Sequence, residues 1–186
     1  PRALKCFQKA IEINIPHNDL QIKAYNQMGS LFMYQGLHDE AIKVNRNAIK
    51  LYIQQGKENK ASYAYRDIAR MYGQKNQPDS ALWYYEKACH IALNNHDSTR
   101  YVGILSELGC FHYDIGNLDT AKQILQEMAR KPYIRNKSNI YSYLGNIHEH
   151  AQQWDSARHY WNKSMQTGNI HKKYESYVRL GWMEKK

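Results

Sequence analysis

His148, Glu149 and His150 put two imidazoles and a carboxylate into three consecutive positions, the raw material of a transition-metal site. The geometry is wrong for one: adjacent positions of a helix point in different directions, and a zinc helix needs its imidazoles four residues apart. Cys110 and His112 have the same fault. His112 and His148 also fall at a recurring position that Phe32 and Tyr72 occupy elsewhere, which predicts packing for both rings. Cys6, Cys89 and Cys110 are too widely spaced for a disulfide framework or a paired zinc signature. They read as reduced, buried thiols, which favours a reducing, cytoplasmic compartment without fixing it. The sequence contains no phosphate loop, nucleophile elbow or carboxylate pair on a common face, so no catalytic residue, metal or cofactor is expected and the chain reads as non-enzymatic.

What remains is chemistry of recognition. Tyr63, Arg66 and Arg70 share one helical face, although like charges four apart oppose helix formation by a few tenths of a kcal/mol. Arginine forks match carboxylates and a tyrosine ring supplies rigid contact area. The trio therefore suits an acidic stretch of a partner. The structural alternative is an Asp67–Arg70 pair at the i, i+3 spacing on an otherwise solvated face.

Composition narrows the classes. The chain has 186 residues, 26 Lys and Arg against 17 Asp and Glu, 16 Tyr and only 4 Pro, which excludes collagen-like and strongly disordered chains. No apolar run approaches the roughly 18 residues of a membrane-spanning helix. A net charge of +9 raises the question of nucleic acid. Each of the stretches 1–55, 56–97, 98–136 and 137–186 carries an excess between +1 and +4, so the basic stripe needed to track phosphates is missing and nucleic acid is disfavoured as a partner.

Positioning comes from an internal repeat. Ala41, Asn45 and Ala48 are echoed by Ala81, Tyr85 and Ala88, by Ala121, Leu125 and Met128, and by Ala157, Trp161 and Ser164; Ala3, Phe7 and Ala10 begin the series. A second signature precedes each full copy: Tyr25, Met28, Gly29 and Phe32 in the first, Tyr65, Ile68, Ala69 and Tyr72 in the second. From Gly29 to Ala69, Gly109, Gly145 and Gly181 the steps are 40, 40, 36 and 36 residues. Spacings of three, four and seven are helical, so each unit is two helices. Gly in mid-helix costs up to about 1 kcal/mol relative to Ala, and its repeated use predicts a neighbouring helix too close for a side chain. Asp39, Asp79, Asp119 and Asp155 stand two residues before the signature Ala and are expected to accept orphan N–H groups at helix starts, with Ser98 capping a further helix. Helices are predicted near 2–13, 20–35, 38–55, 58–75, 79–94, 98–115, 118–130, 136–151, 154–167 and 172–185, with stops at Gly56, Asn94–Asn95, Pro132 and Gly168.

These residues resemble the tetratricopeptide repeat, whose unit reads W-x2-L-G-x2-Y followed by A-x3-F. Tyr or Leu replaces the opening Trp, the period is 36 to 40 residues instead of 34, and Pro16 and Pro132 fall near the place of the closing Pro. Long units of this kind are similar to those of bacterial tetratricopeptide regulators such as the Rap and PlcR-like peptide sensors. The resemblance implies an all-α fold, a right-handed superhelical solenoid of antiparallel helix pairs, forming one repeat domain over 1–186 with units near 1–19, 20–57, 58–97, 98–133, 134–170 and 171–186. The partial first and last units mark the chain as a fragment of a longer one, expected to self-associate through open terminal faces bearing Phe7, Leu180 and Trp182. The resemblance also implies a protein or peptide partner held in a groove along the first helix of each pair. Its lining would include Lys23, Asn26, Ser30, Met33 and Tyr34; then Tyr63, Arg66 and Arg70; then Ser106, Cys110, Tyr113 and Asp114; and finally Asn139, Ser142, Asn146 and Glu149. The Lys and Asn pattern of clamps for acidic chaperone tails is not reproduced, since Asn26, Ser30 and Arg66 stand there. A sensory or scaffolding part of a bacterial signalling or transcription regulator is the expected role.

Overall fold

The structure, a computed structural model, describes residues 2–12, 19–132, 134, 137–168 and 170–183. Pro16, the expected helix ends at Ile13, Asn136 and Lys185, and the side chain of Ala3 lie outside the described residues. Ten α-helices and no strand occur among them: α1 (Arg2–Glu12), α2 (Asp19–Tyr34), α3 (His38–Gln54), α4 (Ser62–Gln74), α5 (Pro78–Asn94), α6 (Ser98–Asp114), α7 (Leu118–Arg130), α8 (Ser138–His150), α9 (Trp154–Thr167) and α10 (Ile170–Met183). No described helix is long and apolar enough to cross a membrane. The chain divides within α6 into two compact units, Pro1–Ile104 and Leu105–Lys186.

In unit 1, α2 pairs with α3 and α4 with α5, and the repeat positions form the core. Ala41, Ala48, Ile68, Ala69, Ala81 and Ala88 are fully buried. Asn45, which breaks the large apolar pattern, is 2% exposed; its amide donates to the Ala41 carbonyl at 2.9 Å and lies against Gly29, where a Cβ would meet Nδ2 at 2.7 Å. A buried polar group is tolerated here because its hydrogen bond is local. Beside this core, Arg46 donates to the hydroxyls of Tyr72 and Tyr84 at 2.7 and 3.3 Å, and those two rings stack with centroids 5.3 Å apart.

In unit 2, α8 pairs with α9 and α9 packs on α10. Ala121, Leu125, Met128, Leu144, Ala157 and Trp161 are fully buried. Ser164 stands where the earlier copies have Ala88 and Met128; it is buried and donates to the Ser138 carbonyl at 3.0 Å, tying α9 to the start of α8. The expected close approach holds at Gly109, where a Cβ would meet Ile124 Cγ2 at 2.9 Å, and at Gly145, where it would overlap the Trp161 ring. Gly181 differs: nothing lies within 4 Å of a Cβ built there.

The turns correct one expectation and explain it. Gly36, Gly56, Asn76, His96, Gly116 and Gln152 all have positive φ. After α2, the N–H of Gly36 bonds to the Met33 carbonyl and that of Leu37 to the Phe32 carbonyl, the paired bonds of a Schellman turn. The same pairs close α4, α6 and α8. Leu37, Gln77, Asn117 and Gln153 are therefore at once the last residue of one turn and the N-cap of the next helix, and none makes a side-chain capping bond. Asp39, Asp79, Asp119 and Asp155 lie two positions past the cap, in the first turn, where they suit the helix dipole; Asp39 also pairs with Lys75 and Asp155 with Arg158. Likewise Asp97, not Ser98, caps α6, its Oδ1 accepting the Arg100 N–H at 2.9 Å. The helix expected from 58 begins at Ser62 after a 3-10 turn over Glu58–Lys60. Lys131, before Pro132, is extended, as the proline ring requires, and this shortens α7 to 13 residues.

Candidate functional site

Two places gather recognition chemistry, one in each unit. In unit 1 the α4 residues Tyr63, Arg66 and Arg70 come together with a fourth residue. Two guanidiniums lie over the Tyr63 ring, Arg66 at 4.7 Å and Arg100 at 4.5 Å from its centroid. Tyr63 remains 45% exposed, so this cation–ring cluster is open to solvent. Asp67 Oδ1 accepts from Arg66, at 3.1 Å from Nε and 2.7 Å from Nη2, so the alternative of an Asp67–Arg70 pair is not the one formed. Arg100 pairs with Asp97 at 3.4 Å and reaches Ser62 Oγ at the same distance. Arg70 is half-buried and forms no ion pair with a described residue. Arg100 carried no repeat signal: it lies in the first turn of α6, six residues before Ser106, where the groove positions of this unit begin.

The other predicted residues of unit 1 are scattered along α2. Lys23 is exposed, the Asn26 amide reaches the Tyr52 hydroxyl at 3.4 Å, and Tyr34 is 91% exposed at the helix end. In unit 2, Asn139 is exposed and Ser106 half-buried, and neither lies on the walls of the cavity that follows.

That cavity, about 710 Å³, opens beside α8 and α10. Tyr113 and Asp114 end α6 and supply one wall; Ser142, Asn146 and Glu149, at spacings of four and three, form a stripe of α8. The adjacent stripe, with Ile140, Leu144 and Ile147, is buried, so helical periodicity alone turns the polar stripe to the cavity. Asn146 also fixes the core, since its Oδ1 accepts the Trp161 indole N–H at 3.1 Å. The opposite wall is α10, with Tyr174, Glu175, Val178, Arg179 and Trp182, and Trp154 opens α9 at the rim. These α10 residues were missed by sequence reasoning. The signal was present: the 36-residue step that carries Gly145 to Gly181 carries Asn139, Ser142 and Asn146 to Glu175, Val178 and Trp182.

Arg179 bridges the walls, donating to Glu149 Oε2 at 2.6 Å while its guanidinium lies 5.7 Å from the Trp161 ring. Tyr113 meets Tyr143 edge-on at 5.1 Å and reaches His150 Nε2 at 3.1 Å. Partial desolvation by the neighbouring walls pushes the Asp114 carboxyl above its ordinary range, although the residue as a whole is exposed, against a hydrogen bond from Tyr143 that lowers it. Burial likewise raises the Tyr113 and Tyr143 phenols.

His148, Glu149 and His150 diverge. His148 is buried, stacked on Tyr160 at 5.2 Å and 2.6 Å from Gln153 Oε1; Glu149 faces Arg179, and His150 faces Tyr113. No group of three or more His, Cys, Asp or Glu among the described residues is placed to hold a metal ion. Cys89 is buried and Cys110 half-buried, but Cys6 is exposed, contrary to expectation, because it lies on the outer face of α1.

The family model described as tetratricopeptide repeat matches residues 20–94. No curated protein gives a significant match. Among solved structures, BtubC (BKLC) from P. vanneervenii is similar with a TM-score of 0.73 and 19% identity, over 89% of this chain and 70% of that one. PilF of Pseudomonas aeruginosa is similar with a TM-score of 0.67 and 21% identity, over 81% of this chain and 62% of that one. The Rap conjugation gene regulator of plasmid pLS20, solved in complex with the Phr* peptide, gives a TM-score of 0.80 at 16% identity, over 95% of this chain. The chain spans half of that regulator's length.

Proposed function

We propose that this chain, a tetratricopeptide repeat protein by the match over residues 20–94 and by its fold, is a module that binds a protein or peptide partner and performs no chemistry of its own. The observation that carries the proposal is the cavity of about 710 Å³ on the helix stripes of α8 and α10, since concave sites of this size with a few convergent polar groups are where ligands bind. The likeness to the Rap regulator, solved with a bound peptide, supports the same reading. In unit 1 the arginines around Tyr63 suit an acidic stretch of the partner. The wider role that fits these features is the sensory or scaffolding part of a bacterial regulator.

The test is capture from a host lysate by the chain and by an Arg66→Glu, Arg70→Glu variant, with the partner identified by mass spectrometry. A partner held by the chain and lost by the variant is the expected result. A partner retained equally by both would remove the arginines from recognition, and failure to capture anything would count against the module.

A second reading, self-association, is favoured by the exposed rings on α10, where Tyr177 is 64% and Trp182 70% exposed. Light scattering at rising concentration should then show a mass above that of one chain, and a constant single-chain mass would exclude it.

A further inference from the structure

We propose that the unit-2 cavity receives a basic side chain, the guanidinium or ammonium of an Arg or Lys in the bound peptide. The inference rests on the peptide-binding reading and gives it a polarity. Among the described lining residues three carboxylates, Asp114, Glu149 and Glu175, stand against one guanidinium, that of Arg179. The walls are thus net negative in a chain whose total charge is +9. Low-dielectric walls focus such a field, so a cation is drawn to this place while the rest of the surface repels it.

The rings make the same selection. Tyr174 and Trp182 are 69% and 70% exposed although both line the cavity, and they bring large, rigid faces to it. An aromatic face attracts a cation within about 6 Å of its centroid, and tryptophan does so most strongly. This unit already uses that interaction internally, with Arg179 at 5.7 Å from Trp161. An acidic side chain placed here would face carboxylates and the negative faces of the rings together. A purely apolar one would leave Asp114 and Glu149 desolvated without a new partner. Glu149 is held by Arg179, so its role is to cancel that guanidinium; Asp114, exposed at the end of α6 and steadied by Tyr143, supplies charge at the rim.

The test begins with selection of a random heptapeptide library on the immobilised chain. The selected peptides are then titrated against the chain labelled with nitrogen-15 at its tryptophan indoles. Arg or Lys at a fixed position is expected, with replacement of that Arg by neutral citrulline weakening binding at least tenfold. An Asp114→Asn, Glu175→Gln variant, shown to be folded by its thermal melting, should weaken binding to a similar degree. If that variant does not fold, the citrulline comparison on the unaltered chain decides alone. The indole signals of Trp154 and Trp182 should shift while that of Trp83, in unit 1, stays fixed. Peptides without a basic residue, peptides indifferent to citrulline, or peptides that leave Trp154 and Trp182 unmoved would overturn the cation assignment and leave peptide binding intact. If the library yields no binder at all, both fall.

Discussion

Gly145→Ala is expected to destabilise unit 2 by about 3 kcal/mol, measured as a lower midpoint in urea, although the same substitution in an open helix stabilises. The added Cβ would overlap Cδ1 and Nε1 of Trp161 and stand 3.0 Å from Cε2. That indole cannot yield: it is fully buried, flat, and tethered by its N–H to Asn146. Small-to-large changes in a packed core cost about 1–3 kcal/mol, and a rigid neighbour places this one at the upper end. Gly103 is the control. It also lies inside a helix, but nothing stands within 4 Å of a Cβ built there, so Gly103→Ala should raise stability by about 1 kcal/mol. In a double-mutant cycle, Trp161→Leu should cost stability alone and yet cancel most of the Gly145→Ala penalty, a coupling of about 1–3 kcal/mol. Equal effects of Ala at 145 and 103 would show that the close approach does not govern the glycine.

The same residues show what the sequence made legible. A glycine placed against helix propensity at Gly29, Gly109 and Gly145 signalled helix crossings, and in each case the neighbour is the residue four after the signature Ala, or the one beside it: Asn45, Leu125 with Ile124, and Trp161. Periodicity read in one dimension therefore located contacts in three. It failed where two features compete for one residue. The aspartates looked like caps, but a Schellman turn already occupies the capping position, and no spacing rule distinguishes a cap from the second helical residue. The candidate groove was half legible for a similar reason. Tyr113 and Asn146 could be placed by repeat position, whereas Arg100 enters through a helix start that lies outside the repeat register. Cys6 was read as buried from residue type alone, and type does not specify which face of α1 is turned outward.

Cys89 should be almost inert to a disulfide reagent at about pH 8 in the folded chain, with a thiolate population about a thousandfold below that of the same thiol in denaturant, while the exposed Cys6 reacts in both. Desolvation is the main cause: the thiol is 8% exposed among apolar neighbours, and the nearby carboxylate of Glu86 adds to the effect, so its pKa is pushed up from 9.0 to about 12. Only the thiolate attacks, and a rise of that size lowers its population about a thousandfold. Burial of the thiol also fixes the direction of a stability change. Above pH 9 the unfolded thiol loses its proton while the folded one keeps it, so the folded state binds more protons and stability falls as pH rises. The contribution of Cys89 is therefore fully present below pH 9 and lost progressively towards about pH 12. A tenfold change in an ionisation constant is worth about 1.4 kcal/mol, so by about pH 10.5 the loss is about 2 kcal/mol. Tyr65, Tyr113 and Tyr143 are raised by burial as well and act with the same sign, so a residual alkaline slope should remain in Cys89→Ala. Unfolding midpoints of the chain and this variant between about pH 8 and 11 separate the contributions: the variant starts lower by its small cavity and then declines less steeply. Parallel curves would show that burial of the Cys89 thiol does not drive the alkaline loss, and modification of Cys89 as fast as Cys6 would show that the α5 core opens readily to solvent.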